Sequence, residues 1–198
     1  MSTPASGAKP ATYDDLLKVP DTKVAEIIDG ELIVSPRPAA PHAIASSGLG
    51  FDLGGPFDRG RGGPGGWWIL FEPELHLGRD ILVPDLAGWR RERMPEKPQV
   101  AFFELAPDWV CEVISPSSMG IDRVRKLRIY ARERIPHAWI LDPLARTLEV
   151  YLFEMDHYSV IGQHADDALV RAPPFDAIEL DLLPLWGEQR APVKGEAR

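Results

Sequence analysis

The sequence predicts one domain built from both α-helices and β-strands. Its 198 residues match the length of an ordinary domain, and a hydrophobic content of 44% is enough for a buried core. Segments with helical spacing of apolar residues are interspersed with short apolar runs bounded by turn residues, which are typical of strands. We expect the domain to span residues 12–185, with disordered tails at 1–11 and 186–198 that are small, polar or proline-containing.

The N-terminal part predicts a short helix followed by a β-hairpin. The helix covers residues 13–18, with Thr12 as its N-cap. Residues 26–28 and 31–34 then flank Asp29-Gly30. This dipeptide favours a type I′ turn, because both central residues of that turn need a positive φ.

A longer helix and an aromatic strand follow the hairpin. Residues 41–53 have a helical pattern and carry His42 in the first turn. The segment 54–66 is rich in glycine and proline, which predicts a flexible loop. Residues 67–71 predict a strand that continues through 74–77.

Two acidic residues lie where apolar strands are expected. Residues 81–89 predict a returning strand, interrupted at Pro84 beside Asp85, which indicates an edge position or a bulge. Residues 109–115 predict a central strand that is apolar except for Glu112. A carboxylate inside such a strand costs several kcal/mol of desolvation unless it is paired or bound to metal.

The C-terminal half predicts a basic helix and three further strands. Residues 121–134 have helical spacing, with an apolar stripe at Ile121, Val124, Leu127 and Ala131. Lys126 lies at the flank of that stripe, from which its long stem can reach a cleft. The predicted strands that follow cover residues 137–141, 147–154 and 158–162.

Asp85, Glu112 and Lys126 together predict metal-assisted hydrolysis of a phosphodiester. Two carboxylates can hold a divalent cation, which polarises a phosphoryl oxygen and lowers the pKa of a bound water. An ammonium nearby offsets the negative charge that develops on phosphate. Mg²⁺ suits this set because it prefers oxygen ligands and retains several waters, and Mn²⁺ is a second candidate.

The global composition restricts the class of protein. A formal net charge of −8 disfavours a surface that binds nucleic acid everywhere, although a local basic patch is compatible with it. One cysteine allows neither an intramolecular disulfide nor a thiolate zinc cluster. No signal peptide or membrane span is evident, so we expect a cytoplasmic protein without a membrane partner. Two arginine-rich clusters near the acidic residues are read either as that patch or as solvated faces: Arg90, Arg91 and Arg93, and Arg123, Arg125, Lys126, Arg128, Arg132 and Arg134.

Several motifs, taken in their order and spacing, resemble a bacterial family of restriction endonuclease-like proteins. That family was long classed as a domain of unknown function and is placed in the PD-(D/E)XK nuclease superfamily. The resemblance covers nearly the whole chain, about residues 12–185. The residues that carry it are Glu-Ile-Ile-Asp-Gly-Glu-Leu at 26–32, Pro41-His42, Val83-Pro84-Asp85, Cys-Glu-Val-Ile-Ser-Pro-Ser-Ser at 111–118, Asp122, Lys126, Tyr130 and Trp-Ile-Leu-Asp-Pro at 139–143.

The resemblance implies a restriction-endonuclease-like α/β fold with a mixed central β-sheet flanked by helices. It places Asp85 and Glu112 on adjacent strands as ligands of Mg²⁺ or Mn²⁺, and it implies a nucleic-acid substrate, DNA rather than RNA. The sequence departs from the superfamily pattern at Ile114, where a lysine would be expected. A helix lysine, here Lys126, is thought to substitute for it. A homodimer is a further expectation, because nucleases that cut both strands are commonly dimeric.

The sequence leaves the roles of Glu31 and His42 open, and it leaves two other functions possible. Glu31 is either a third acidic metal ligand or a surface residue. His42 is either a helix-capping residue or a catalytic group that orients water or phosphate. Two rival functions are a nuclease-fold protein that has lost turnover and only binds nucleic acid or acts structurally, and a metal-dependent hydrolase of a small phosphorylated substrate.

Overall fold

A six-stranded mixed sheet and a smaller four-stranded antiparallel sheet form the framework of the computed structural model, which describes residues 9–96, 98–116 and 118–190. The strands are β1 Lys23–Ile28, β2 Glu31–Pro36, β3 Trp67–Phe71, β4 Leu75–Leu77, β5 Asp80–Leu82, β6 Leu86–Arg90, β7 Trp109–Val113, β8 His137–Asp142, β9 Thr147–Glu154, β10 His157–Ala165, β11 Leu169–Val170 and β12 Leu180–Asp181. The α-helices are α1 Tyr13–Leu16, α2 Ala40–Leu53 and α3 Leu127–Arg132, with π-helical segments at Gly54–Asp58 and Ile121–Lys126 and a 3₁₀ turn at Leu183–Trp186.

The large sheet has the strand order β10-β9-β8-β7-β6-β3, and only the β7–β8 pair is parallel. The small sheet has the order β2-β1-β5-β4. The predicted α/β class with a mixed central sheet is therefore confirmed. Among the described residues, no helix is both long enough and apolar enough to cross a bilayer.

Two apolar cores cover the opposite faces of the large sheet. On one face, helix α2 contributes residues such as Leu49 and Leu53 to the core. They lie in the same core as Trp109 and Cys111, which are alternate residues of β7. Helix α3 and the small sheet cover the other face, where Tyr130 lies in the core. Because strand side chains alternate between faces, Glu112 lies on the α3 side while Cys111 packs on the α2 side.

The hairpin prediction is confirmed by the turn geometry. Asp29 and Gly30 have φ angles of 56° and 81° and join β1 to β2, in which Ile28 lies opposite Glu31. The short first helix is also present and carries a capping box, in which the Asp15 carboxylate accepts hydrogen bonds from the backbone and the hydroxyl of Thr12.

Three predicted elements differ from the structure. The predicted loop 54–66 begins with a π-helical extension of α2 at Gly54–Asp58. The predicted continuous strand 67–77 is two strands in different sheets, because Glu72 takes a left-handed φ of 44° before Pro73. The returning strand is likewise split by the segment 83–85 into β5 of the small sheet and β6 of the large one.

The fourth difference concerns the predicted apolar stripe on residues 121–134. The helix begins as a π-helical segment, whose wider hydrogen-bond spacing changes which side chains face the core. Val124 is consequently 67% exposed, whereas Asp122 and Lys126 are buried. The stripe prediction is therefore wrong at Val124, whereas Ile121 and Leu127 do pack against the core on the α3 side, beside the buried Asp122 and Lys126.

The predicted tails are only partly covered by the described residues. The backbone N–H of Ala11 donates to the carbonyl of Gly30 at 2.8 Å, and Arg190 pairs with Asp181 at 2.7 Å. Residues 1–8 and 191–198, which include most of the predicted tails, lie outside the described residues.

Candidate functional site

Asp85 and Glu112 meet where β6 begins and β7 ends. The two strands are antiparallel, with Leu86 opposite Cys111, so the preceding Asp85 lies alongside Glu112. The Oδ2 atom of Asp85 accepts a hydrogen bond from the backbone N–H of Val113 at 2.7 Å. Both carboxylates line one cavity of about 580 Å³, and both sequence patterns that singled them out therefore lead to the same place.

Lys126 lies at the centre of a group of carboxylates beside this cavity. Its Nζ atom is 2.9 Å from Glu26 Oε1, 3.1 Å from Glu112 Oε2 and 3.5 Å from Asp122 Oδ1. Burial alone would lower the pKa of Lys126, but the charges of Glu112, Glu26 and Asp122 outweigh that effect and raise it well above its ordinary value. The lysine is therefore an ammonium at any physiological pH.

Glu112 is the most deeply buried carboxylate of the group, with a side chain that is only 2% exposed. Its Oε2 accepts from Lys126, and its Oε1 accepts from the hydroxyl of Tyr130, which is itself fully buried. Burial raises the pKa of Glu112 well above its usual range, and the neighbouring carboxylates of Asp122 and Asp85 add to this, while Lys126 acts in the opposite direction. Burial also raises the pKa of Asp122, against the opposing effect of Lys126.

His42 contacts Asp85 from the first turn of α2. Its Nε2 atom is 3.0 Å from Asp85 Oδ1, and the two side chains are 13% and 16% exposed. A carboxylate can only accept, so this contact requires a hydrogen on Nε2. Burial lowers the pKa of His42, but the hydrogen bond and the charge of Asp85 outweigh it, and the net direction is upward.

Glu31 is separated from the other predicted metal ligands. Its side chain is 66% exposed and pairs with Arg125 at 2.9 Å, and it does not line the cavity. Glu31 lies at the turn end of β2, opposite Ile28 of β1. Ile28 is two residues beyond Glu26 along β1, so Glu31 is displaced from the level of Glu26 by roughly 7 Å along the strand direction. Glu26 takes the position near the cavity instead.

Sequence reasoning missed Glu26, although a signal for it was present. Glu26 interrupts the apolar run Val24-Ala25-Glu26-Ile27-Ile28 just as Glu112 interrupts its own strand. Its Oε1 atom pairs with Lys126 and also accepts a hydrogen bond from the backbone N–H of Val83 at 2.8 Å. Glu26 therefore holds the segment that leads into Asp85 as well as the lysine.

Most side chains of the two arginine-rich clusters pair with acidic residues, and several of them remain exposed to solvent, such as Arg128 at 61% and Arg134 at 74%. Arg90 stacks over Trp67, with its guanidinium carbon 4.7 Å from the ring centroid. The other members pair with carboxylates: Arg91 with Asp58, Arg93 with Asp108, Arg123 with Glu149, Arg125 with Asp29 and Glu31, Lys126 with Glu26, Arg128 with Asp29, Arg132 with Asp80 and Arg134 with Asp156.

The donor set suits a divalent cation in its chemistry and its charge. Four carboxylates, from Glu26, Asp85, Glu112 and Asp122, line the cavity together with one lysine and one histidine, so acidic groups outnumber basic ones there. Within the described ranges, however, no three His, Cys, Asp or Glu side chains are arranged as a metal cluster. The oxygens of Asp85 and Glu112 already accept hydrogen bonds, so a cation would use the second lone pair of each oxygen.

Comparisons with known proteins agree with this fold. A solved structure titled "putative nuclease belonging to DUF820", from Anabaena variabilis ATCC 29413, superposes with a TM-score of 0.73 at 24% sequence identity, covering 90% of this chain and 98% of that one. A search of curated proteins finds no match. The model of the Uma2 family, described as "Putative restriction endonuclease", matches residues 10–183. The chain therefore belongs to the Uma2 family.

Proposed function

We propose that this protein is a metal-dependent endonuclease that hydrolyses phosphodiester bonds of nucleic acid, with DNA as the preferred substrate. The observation that carries the proposal is the convergence of Asp85, Glu112 and Lys126 at one cavity, from two adjacent strands and a helix. Membership of a family described as restriction endonucleases supports the same reaction class.

Asp85 and Glu112 would hold the metal, Mg²⁺ or Mn²⁺. When bound, such a cation supplies Lewis-acid polarisation of the phosphoryl group and a water of lowered pKa. The protein positions Asp85 through the Val113 N–H and through His42, and it positions Glu112 through Tyr130. Both carboxylates are thereby fixed before a ligand arrives, which reduces the reorganisation required during the reaction.

Lys126 would stabilise the negative charge that develops on the phosphoryl group. It remains charged in spite of its burial because three carboxylates surround it. Its position on a helix, 3.1 Å from Glu112, provides the ammonium that Ile114 does not supply from the strand. His42 would keep Asp85 oriented, since the raised pKa of His42 favours an ion pair with that carboxylate.

One observation favours a second candidate, a nuclease-fold protein that binds nucleic acid or acts structurally without turnover. Both oxygens of Glu112 already accept hydrogen bonds, from Lys126 and from Tyr130. In a silent protein, this buried network would serve the stability of the fold and would not need a metal.

A cleavage assay separates the two candidates. Wild-type protein is incubated with plasmid DNA, with single-stranded DNA and with short RNA in Mg²⁺, in Mn²⁺ or in EDTA, beside Asp85→Ala and a control, Asp156→Ala, which removes an exposed carboxylate outside the cavity. The proposal expects metal-dependent cleavage of at least one of the DNA substrates by wild type and Asp156→Ala and none by Asp85→Ala. Equal cleavage by Asp85→Ala, or no cleavage by purified wild type in either metal, contradicts it. Light scattering on the same preparation tests the expected homodimer.

A further inference from the structure

The reactive groups are recessed, which limits the substrates that can reach them. The side chains of Glu112 and Lys126 are 2% and 5% exposed, and that of Asp85 is 16% exposed. They line a cavity of about 580 Å³, a size typical of pockets that enclose small molecules. A rigid duplex is far too wide to enter a cavity of this size, whereas a single strand or an unpaired end can pass its phosphodiester to the recessed groups.

The rest of the cavity lining is mainly apolar and comes from separate parts of the chain. One part is the end of β2 and the segment leading to α2, which contributes Val34 and the prolines of residues 36–41, and another is Leu144 after β8. Val34 is 47% exposed and Leu144 is 61% exposed. Apolar side chains held open to solvent around a cavity suit the flat face of an unstacked base, whereas a duplex keeps its base faces inside the stack.

The available positive charge at the cavity is also small. Duplex binders neutralise many phosphates at once, whereas among the described residues the only arginine or lysine side chains that line this cavity are Arg37 and the buried Lys126. Arg37 lines the cavity and is 53% exposed, and it pairs with Glu72 at 2.9 Å, where Glu72 is 40% exposed. A surface ion pair of this kind contributes little, so a phosphate can replace Glu72 as the partner of Arg37.

From these three observations we infer that the substrate enters as a single strand or as an unpaired end, with one base against the apolar wall that includes Val34 and Leu144 and one neighbouring phosphate on Arg37. This inference rests on the proposed nuclease function and defines its substrate class. It assigns specificity to residues outside the carboxylate and lysine group. It also explains how an acidic protein can accept a nucleic acid, since one or two phosphate contacts are sufficient for a short strand.

The test measures binding separately from cleavage. The fluorescence anisotropy of a labelled oligonucleotide is followed as wild-type protein is added, once with Ca²⁺ and once with EDTA, for a single strand and for the duplex of the same sequence. We expect the single strand to bind at least tenfold more tightly. Comparable or tighter binding of the duplex, or binding of neither ligand, overturns the inference.

Two matched pairs of variants locate the binding site. Leu144→Ser should weaken single-strand binding several-fold, whereas Leu169→Ser, which changes a leucine of similar exposure outside the cavity, should not. Arg37→Gln should weaken it and reduce the salt dependence by about one phosphate contact, whereas Arg134→Gln, an exposed ion-paired arginine outside the cavity, should change neither. Equal effects within each pair overturn the inference.

Failure of the inference is distinguishable from failure of the proposed function. If a single strand binds through Leu144 and Arg37 but is not cut in Mg²⁺ or Mn²⁺, the nuclease proposal fails and the binding inference stands. If cleavage depends on Asp85 but duplex is bound and cut as well as single strand, the nuclease proposal stands and the inference fails. Tight binding of a free mononucleotide with no binding of oligonucleotides contradicts both and points to a small phosphorylated substrate.

Discussion

Replacing Lys126 with methionine should destabilise the protein severely and in a pH-dependent way. The substitution keeps the length of the side chain but leaves three carboxylates, at 2.9, 3.1 and 3.5 Å from the present ammonium, without their common cation. Removing one partner of a buried ion pair costs roughly 3–5 kcal/mol. Because Lys126 is only 5% exposed and serves three acids, we expect a loss near the upper end, about 5 kcal/mol at pH 8.

The sign of the pH dependence follows from the carboxylates. The pKa values of Glu112 and Asp122 are already raised in the wild type, chiefly by burial, and Lys126 opposes this rise, so its removal raises them further. An acid whose pKa is higher in the folded than in the unfolded state destabilises the fold. This penalty is zero below the unfolded pKa, where both states are protonated, and it grows as the pH rises toward the folded pKa. The penalty of Lys126→Met should therefore shrink as the pH is lowered from 8 to 5.

Urea denaturation at both pH values measures this penalty directly. The control is Lys18→Met, which removes a lysine that is 73% exposed and paired with Asp15, and which should have no measurable effect. A loss of less than about 1 kcal/mol for Lys126→Met, or a loss that is the same at pH 5 and pH 8, would refute the account of Lys126 as the charge that offsets the buried acids.

Three further predictions concern groups at or beyond the cavity. Tyr130→Phe removes the hydroxyl that donates to buried Glu112 and should cost roughly 1.5–3 kcal/mol in urea denaturation; an unchanged midpoint would mean that Glu112 has another donor. Burial and the charge of Asp181 raise the pKa of Asp52 to about 6, so Asp52→Asn should stabilise the protein at pH 8 by about 1–2 kcal/mol after allowance for partial exposure. This gain should disappear near pH 4, and a gain independent of pH would refute the assignment. Burial raises the pKa of the Cys111 thiol well above its ordinary value, so a thiol reagent should modify it only as the protein unfolds, and modification under native conditions would contradict the packing against α2.

The features that the sequence could predict are those determined by local chemistry. Asp29-Gly30 specified its turn because few residues tolerate two consecutive positive φ values, and Glu112 was conspicuous because a carboxylate in an apolar strand needs a partner. The sequence also placed Lys126 near that carboxylate, whereas Glu26, the second acid that binds Lys126, was not predicted. Lys126 reaches Glu112 through a π-helical segment, and a pattern search that assumes α-helical spacing places Val124 inside in its stead.

Long-range pairing accounts for the rest of what could not be predicted. In the sequence, Arg125 and Arg128 indicate a basic surface. In the fold they pair with Glu31 and Asp29, which lie almost a hundred residues earlier in the chain. Glu26 and Glu31 have the same side-chain chemistry and lie in the same hairpin, yet only Glu26 reaches Lys126. Which of the two does so depends on where the hairpin meets the helix, and that is a property of tertiary packing.

The most direct test of the central claim is a calorimetric titration of Mn²⁺ into the wild-type protein and into the double variant Asp85→Asn, Glu112→Gln, with Glu31→Gln as the matched control. We expect about one ion per chain for the wild type and for Glu31→Gln, and an affinity at least tenfold lower, or about 1.4 kcal/mol, for the double variant. Unchanged affinity in the double variant, or a loss in Glu31→Gln alone, would show that the cation binds outside the cavity and would contradict the claim.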